Sequence, residues 1–332
     1  MAERTKKTGN RRGPGRAKRI AKSIRYFIGR RIVKLVFCLP DVMRLSRALS
    51  FSKFIATLGY YLPGEHRRQA FTNLRVFFGK EKSHAELKNM ARNIGITATK
   101  GAIESVYAVS PRKEELYSSM TIEGKEHLDQ ALSRGKGVIA LSAHLGNFAV
   151  MGGKLIAEGY PFHLVLKLPK DPVLSQYFTM KMEQYGLKFI EFKSLSASQK
   201  EIVRRLRQNQ IVCLIADGDQ KAGGIPVDLM GQEVAIPAGP AILATRTGAA
   251  ILPMFIIRQA DDSHKIIIDP PVEISEAESQ DRTVALLTVK LVRIIESYIR
   301  QYPTQWHWVN KKHHHSHHRK WFRKLDDGEL EA

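Results

Sequence analysis

The sequence predicts a single α/β domain with a central mixed, mostly parallel sheet flanked by helices, preceded by amphipathic helices at its N-terminus. Two observations carry that prediction. Short apolar runs rich in β-branched residues recur as GVIALSA (137–143), HLVLK (163–167), KFIEF (188–192) and IVCLIA (211–216). Between them, residues 146–158, 172–185 and 197–208 carry helical spacing, and strands alternating with helices at this interval build parallel sheets. A chain of 332 residues with 43% hydrophobic and 26% charged residues has the composition of a globular protein with a sizeable core.

Taken in order, residues 1–19 form a basic arm expected to be disordered, since Gly13-Pro14-Gly15 interrupts any helix. Residues 20–64 have amphipathic helical spacing. Phe51, Ile55, Leu58 and Leu62 share one face, with Lys34, Arg44, Arg47 and Lys53 among apolar neighbours. Such a stretch either packs on its own domain or lies in a lipid headgroup layer. Residues 65–118 are helical and polar, a helical subdomain. After the four strands come IPVDLM (225–230), AAILPMFIIR (249–258) and KIIIDP (265–270) as further strands. A long final helix then places Val284, Leu287, Leu291, Ile294 and Tyr298 on one face. Residues 311–332 form a His-rich basic tail. Its run KKHHHSHHRKWF offers no fixed geometry and no carboxylate partner for a metal, so a solvated basic tail is expected.

Lys and Arg number 53 against 32 Asp and Glu, for a net charge of +21. Residues 1–34 alone carry +12. A cluster of this kind attracts anionic lipid, acidic carrier proteins or nucleic acid. No DNA- or RNA-binding motif is recognisable and the basic residues sit beside apolar helices, so nucleic acid is not the expected partner. Cys38 and Cys213 lie in apolar runs without C-x-x-C spacing, as two reduced buried thiols would. The N-terminus lacks the pattern of a signal peptide. No segment has the ~20 uncharged apolar residues of a simple spanning helix. The expected location is peripheral or monotopic, on a membrane surface.

Two polar clusters stand at the ends of predicted strands. LSAHLGNF puts His144 where a strand meets a helix; Gly146 permits close backbone approach there, and Asn147 caps the helix or bonds a substrate. ADGDQ puts Asp217 and Asp219 at the end of another strand. In open α/β sheets ligands bind beyond the carboxyl ends of strands.

These residues resemble the bacterial lysophospholipid-acyltransferase superfamily, in the branch of the late lipid A acyltransferases. That branch carries His-x-Gly-Asn-Trp/Phe-Glu after a strand; this chain has His144-Leu-Gly146-Asn147-Phe148-Ala149. The family's Asp-x-Asp segment and following hydrophobic stretch are similar to Asp217-Gly-Asp219 and Ile225–Gly231, and its small-residue helix and strand to PAGPAILATRTGAAILP (237–253). Its late aromatic element is matched by Tyr302–Trp308. The likeness covers roughly residues 30–310 and makes 65–310 the acyltransferase domain.

The resemblance implies direct transfer of a fatty acyl chain from an acyl thioester, on acyl carrier protein or coenzyme A, to a hydroxyl of a glycolipid or phospholipid acceptor. His144 would be the general base, with no metal or resident cofactor and no acyl-enzyme. Backbone N–H groups near Gly146 would hold the oxyanion, and Lys167 and Lys181 stand nearest to the family's substrate-binding arginines. It further implies a peripheral place on the cytoplasmic face of a bacterial inner membrane. One position departs. The acid five residues after the histidine, which orients the imidazole, is Ala149. Asp217 or Asp219 supplies the carboxylate instead, or the alanine replaces a native acid, or the site is impaired and the protein is a lipid-binding or scaffold protein on the same fold.

Overall fold

Val138, Ile139, Ala140 and Leu141 are all fully buried. Consecutive burial of this kind belongs to a strand covered on both faces. The computed structural model describes residues 16–60, 64–218, 220 and 223–308; the basic arm before Arg16, Leu62, Asp219 and the His-rich tail lie outside them.

Three helices come first, α1 (Arg16–Phe37), α2 (Leu39–Val42) and α3 (Leu45–Tyr60). Three further helices follow as α4 (Glu65–Phe78), α5 (His84–Tyr107) and α6 (Lys113–Tyr117). Ser83 and Glu86 start α5 with a reciprocal capping box. The alternating part runs β1 (Met120–Glu123), α7 (Lys125–Ser133), β2 (Val138–Ser142), α8 (Phe148–Ala157), β3 (Phe162–Leu166), α9 (Pro172–Gln184), β4 (Phe189–Glu191), α10 (Leu195–Arg207) and β5 (Ile211–Ile215). Then come β6 (Ile225–Leu229), β7 (Gln232–Ile236), α11 (Gly239–Thr247), β8 (Ala250–Arg258), β9 (His264–Ile268) and α12 (Gln280–Gln301). A 3-10 turn at Pro303–Gln305 follows, and the described residues continue to Trp308.

The main sheet has seven strands in the order β1-β9-β8-β2-β5-β3-β4. Every neighbouring pair is parallel except β8–β9, so the sheet is mixed and mostly parallel, as the strand–helix alternation predicts. β6 and β7 form a separate antiparallel hairpin. β1 and β7 were not among the expected strands. β1 has four residues of which one is buried, too little apolar pattern to announce a strand.

Alternate residues of each central strand serve opposite cores. Ile139, Leu141, Val212, Ile251 and Phe255 join one, under α10, α11 and α12. Val138, Ala140, Cys213, Leu252 and Met254 join the other, under α3, α7 and α8. α5 belongs to both: Leu87, Met90 and Ile94 pack into the first core, Ile103 and Tyr107 into the second. It therefore crosses from one face of the sheet to the other.

One expectation is altered here, and one open alternative is narrowed. Cys213 is buried as predicted, but Cys38 is exposed, because it stands at the junction of α1 and α2 rather than inside a packed face. Of the predicted stripe on α3, the described members Phe51, Ile55 and Leu58 are 54%, 45% and 59% exposed. The helix buries its other face, through Leu45, Ala48 and Leu49. No helix among the described residues is long and apolar enough to cross a membrane.

Candidate active site

The register of two parallel strands places the first pair of residues. Ser142 on β2 lies opposite Ile215 on β5, and the Ala216 N–H donates to the Ser142 carbonyl at 2.9 Å. Two residues further along each strand stand His144 and Asp217. His144 Nδ1 is 2.7 Å from Asp217 Oδ1, and the His144 backbone N–H donates to Oδ2 at 3.2 Å. The Trp306 indole N–H donates to the same Oδ2 at 2.6 Å. The Asp217 side chain is fully buried, whereas the imidazole is 44% exposed. A buried carboxylate met by these donors is held in one orientation. Nδ1–H donates to it, leaving Nε2 as the nitrogen able to take a proton from outside.

The turn after His144 is held by backbone geometry. Gly146 has φ +63°, and a Cβ there would overlap the Ile256 carbonyl oxygen, so β8 presses too closely for any side chain. The Gly146 N–H donates to the Gln305 carbonyl at 3.0 Å, and the His307 N–H to the His144 carbonyl at 2.9 Å. Leu145 forms an isolated bridge with Trp306. Asn147 caps α8 through Oδ1, while its amide donates to the Gly101 carbonyl at 2.8 Å and lies near Ser105 and Glu104. That side chain ties the turn to α5.

His144 opens on a cleft of about 350 Å³, shared with Gly101, Ser105, Asn147, Arg258 and His307. Beside it lies a cavity of about 400 Å³ with almost entirely apolar walls, among them Val36 and Phe37 of α1, Val106 of α5, Ala149 of α8 and Phe178 of α9. Ala102 and Ser105 line both chambers.

Sequence reasoning missed the charged cluster on the far wall of the cleft. Glu104 is fully buried on α5, and both of its oxygens accept from the Arg258 guanidinium, the Nη2–Oε2 bond measuring 2.8 Å. His264 Nε2 approaches Glu104 Oε2 at 3.5 Å, and Lys100 pairs with Asp262 at 2.5 Å. Burial pushes the Glu104 carboxyl up, but His264 and Arg258 outweigh it and hold the group below its ordinary range. The available signal was Arg258, an arginine that ends an otherwise apolar strand.

The other predicted residues are dispersed. Lys167 is exposed just beyond β3. Lys181, half-buried on α9, lines the apolar cavity with its ammonium 5.9 Å from the Tyr185 ring. Ala149 lies on the wall of that cavity, and the imidazole has its carboxylate from Asp217. Among the described residues no three His, Cys, Asp or Glu side chains gather as a metal site.

The profile of the bacterial lipid A biosynthesis acyltransferases matches residues 14–315. The chain belongs to that family. It is an acyltransferase. Among its relatives, a phosphatidylinositol mannoside acyltransferase of Mycobacterium tuberculosis is 30% identical over 211 residues, covering 58% of this chain and 67% of that protein. One of the same description from Mycolicibacterium smegmatis is 30% identical over 183 residues, 55% and 58% of the two chains. A lipid A biosynthesis acyltransferase of Haemophilus influenzae is 23% identical over 199 residues, 59% and 60% of the two chains. In this acyltransferase the His144–Asp217 pair stands where β2 and β5 end side by side, with the imidazole on the wall of the polar cleft.

Proposed function

We propose that the protein moves a fatty acyl chain from an acyl thioester, carried by acyl carrier protein or coenzyme A, to a hydroxyl of a glycolipid acceptor at a membrane surface. The observation that carries this reading is the His144–Asp217 pair, with the imidazole open to a polar cleft that shares Ala102 and Ser105 with an apolar cavity. His144 Nε2 accepts the acceptor's hydroxyl proton while that oxygen attacks the thioester carbonyl carbon. Asp217 fixes the Nδ1–H tautomer and balances the imidazolium charge. As the tetrahedral intermediate collapses, the carbon–sulfur bond breaks and the departing thiolate takes the proton from Nε2. The Gly146 N–H is committed to Gln305, so the oxyanion falls to the N–H groups of Phe148 and Ala149, which precede the intrahelical bonds of α8.

No covalent acyl-enzyme is needed. Cys213 is buried and its thiol is pushed up to about 12 by burial, which leaves it inert. The acyl chain of the donor occupies the apolar cavity, and Lys181 at its wall and Lys167 beyond β3 meet phosphate groups. The glycolipid class is supported by relatives that are phosphatidylinositol mannoside and lipid A acyltransferases. The exposed apolar residues of α1 and α3, set among Arg25, Arg31, Lys34 and Lys53, suit the headgroup layer of an anionic leaflet, a peripheral seat on the inner membrane. The scaffold reading rested on Ala149, and it loses that support with Asp217 beside the imidazole.

The test is acyl transfer by purified protein from acyl-carrier and coenzyme A thioesters to phosphatidylinositol mannosides, lipid A precursors and lysophospholipids. His144→Ala abolishes it, and Asp217→Asn lowers it by roughly 10⁴, the factor known for losing the orienting acid in hydrolase triads. Full activity in either variant refutes the mechanism.

A further inference from the structure

We infer that Ala149 is the neck of the acyl passage and a determinant of which chains the enzyme accepts, so that the departure from the family's acid at this position is a specificity feature. The inference rests on the acyl-transfer reading of the site.

Three observations converge. The start of α8 is a partition: Asn147 and Phe148 line the polar cleft, whereas Ala149 and Val150 line the apolar cavity. Opposite it, Ala102 and Ser105 of α5 line both chambers, so the two adjoin between α5 and the start of α8, where Ala149 and Ala102 are the small side chains. An extended chain joined to a thioester carbonyl beside His144 must cross there. Finally, the imidazole has no use for a second carboxylate. Nδ1 is held by Asp217 at 2.7 Å, and Nε2 must stay open for the acceptor's proton.

A glutamate at 149 would therefore stand in the passage as a charge against apolar walls, where an ionised carboxylate is costly. It would face the methylenes of the substrate or turn toward Lys181, which lines the same cavity. Alanine keeps the neck both apolar and wide. The bulk of this one side chain then sets how easily a long chain passes into the cavity.

The experiment measures transfer from short-, medium- and long-chain acyl thioesters by the parent protein and by Ala149→Glu, Ala149→Leu and Ala102→Leu. Displacement of cis-parinaric acid is followed in parallel, because that binding needs no catalysis. Thermal melts establish that each variant is folded, and Ala102→Leu narrows the neck from its other side should Ala149→Leu not fold. Narrowing shifts the ratio of kcat/KM for long over short chains downward by roughly 10-fold or more, and weakens parinaric acid binding. Ala149→Glu lowers long-chain transfer. Higher transfer in Ala149→Glu with every donor overturns the inference, and so does an unchanged chain-length profile in both leucine variants. If the parent protein transfers nothing from any thioester, the functional reading fails. Parinaric acid binding, lost or kept in the leucine variants, still decides the neck.

Discussion

Trp306 is fully buried, and its indole N–H ends 2.6 Å from Asp217 Oδ2, on a residue 89 positions earlier. Its ring packs edge-on against Trp308 and Phe77, so the donor cannot swing away. Without that donor, Asp217 keeps its two bonds to His144 but Oδ2 loses a strong one. A hydrogen bond to a charged group contributes ~1.5–3 kcal/mol, so Trp306→Phe lowers kcat/KM by roughly 10–100-fold. The loss is smaller than in Asp217→Asn and appears chiefly in kcat. Steady-state kinetics on the folded variant check this, and an unchanged kcat assigns Trp306 to packing alone. Both tryptophans were visible in the sequence as part of a late aromatic element. Their target was not, because no local pattern says which strand end an indole will reach.

At the scale of elements, α1 has two faces with different work. Val33, Val36 and Phe37 close the apolar cavity, while Ile24, Phe27, Ile28 and Leu35 are exposed by 51–71%. α1 is tied to α9 by a bidentate pair, Arg30 Nε and Nη2 each 2.9 Å from an Asp171 oxygen, and by Phe37 against Tyr177 and Phe178. Asp171 also caps α9, a helix with no buried residue of its own. The Arg30 guanidinium holds the Asp171 carboxyl below its usual range. Burying one Phe or Ile contributes about 1.5–3 kcal/mol, so the double change Phe27→Asp and Ile28→Asp weakens binding to anionic vesicles by at least roughly 10-fold. Co-sedimentation measures it, with transfer to a detergent-dispersed acceptor unchanged. Equal binding by parent and variant removes α1 from the membrane contact. The amphipathic pattern of this region was legible; which face stays open was not, since that depends on the partners α5 and α9 bring to it.

The whole molecule is joined across its sheet by Glu104. This residue of α5 pairs with Arg258 on β8 and lies by His264 on β9, next to the turn that carries Asn147. Its carboxyl is depressed in the folded state, so the stability it contributes is complete above the ordinary carboxylate range. That stability is lost as the pH falls through the depressed folded value. Breaking one partner of a buried pair costs about 3–5 kcal/mol, so Glu104→Gln is destabilised by that order at neutral pH. Its stability also declines less steeply on acidification than the parent's. Urea unfolding at a series of pH values tests both, and parallel acid limbs for the two proteins contradict the assignment.

By itself the sequence determined the elements whose pattern is local. Runs of β-branched residues became β2, β3, β4, β5, β6, β8 and β9, and in β2 and β8 the consecutive apolar side chains are buried between two layers. Helical spacing became α8, α9, α10 and α12 for the corresponding reason of period. It also marked His144 and Asp217 as polar residues at strand ends. The tertiary structure decided that these two are partners, that Asn147 is clamped to Gly101, and that Ala149 faces a cavity. Each of those facts depends on the register of strands 73 residues apart or on the packing of α5 over the sheet. Such contacts are fixed only when the two cores close, and no window of sequence contains them.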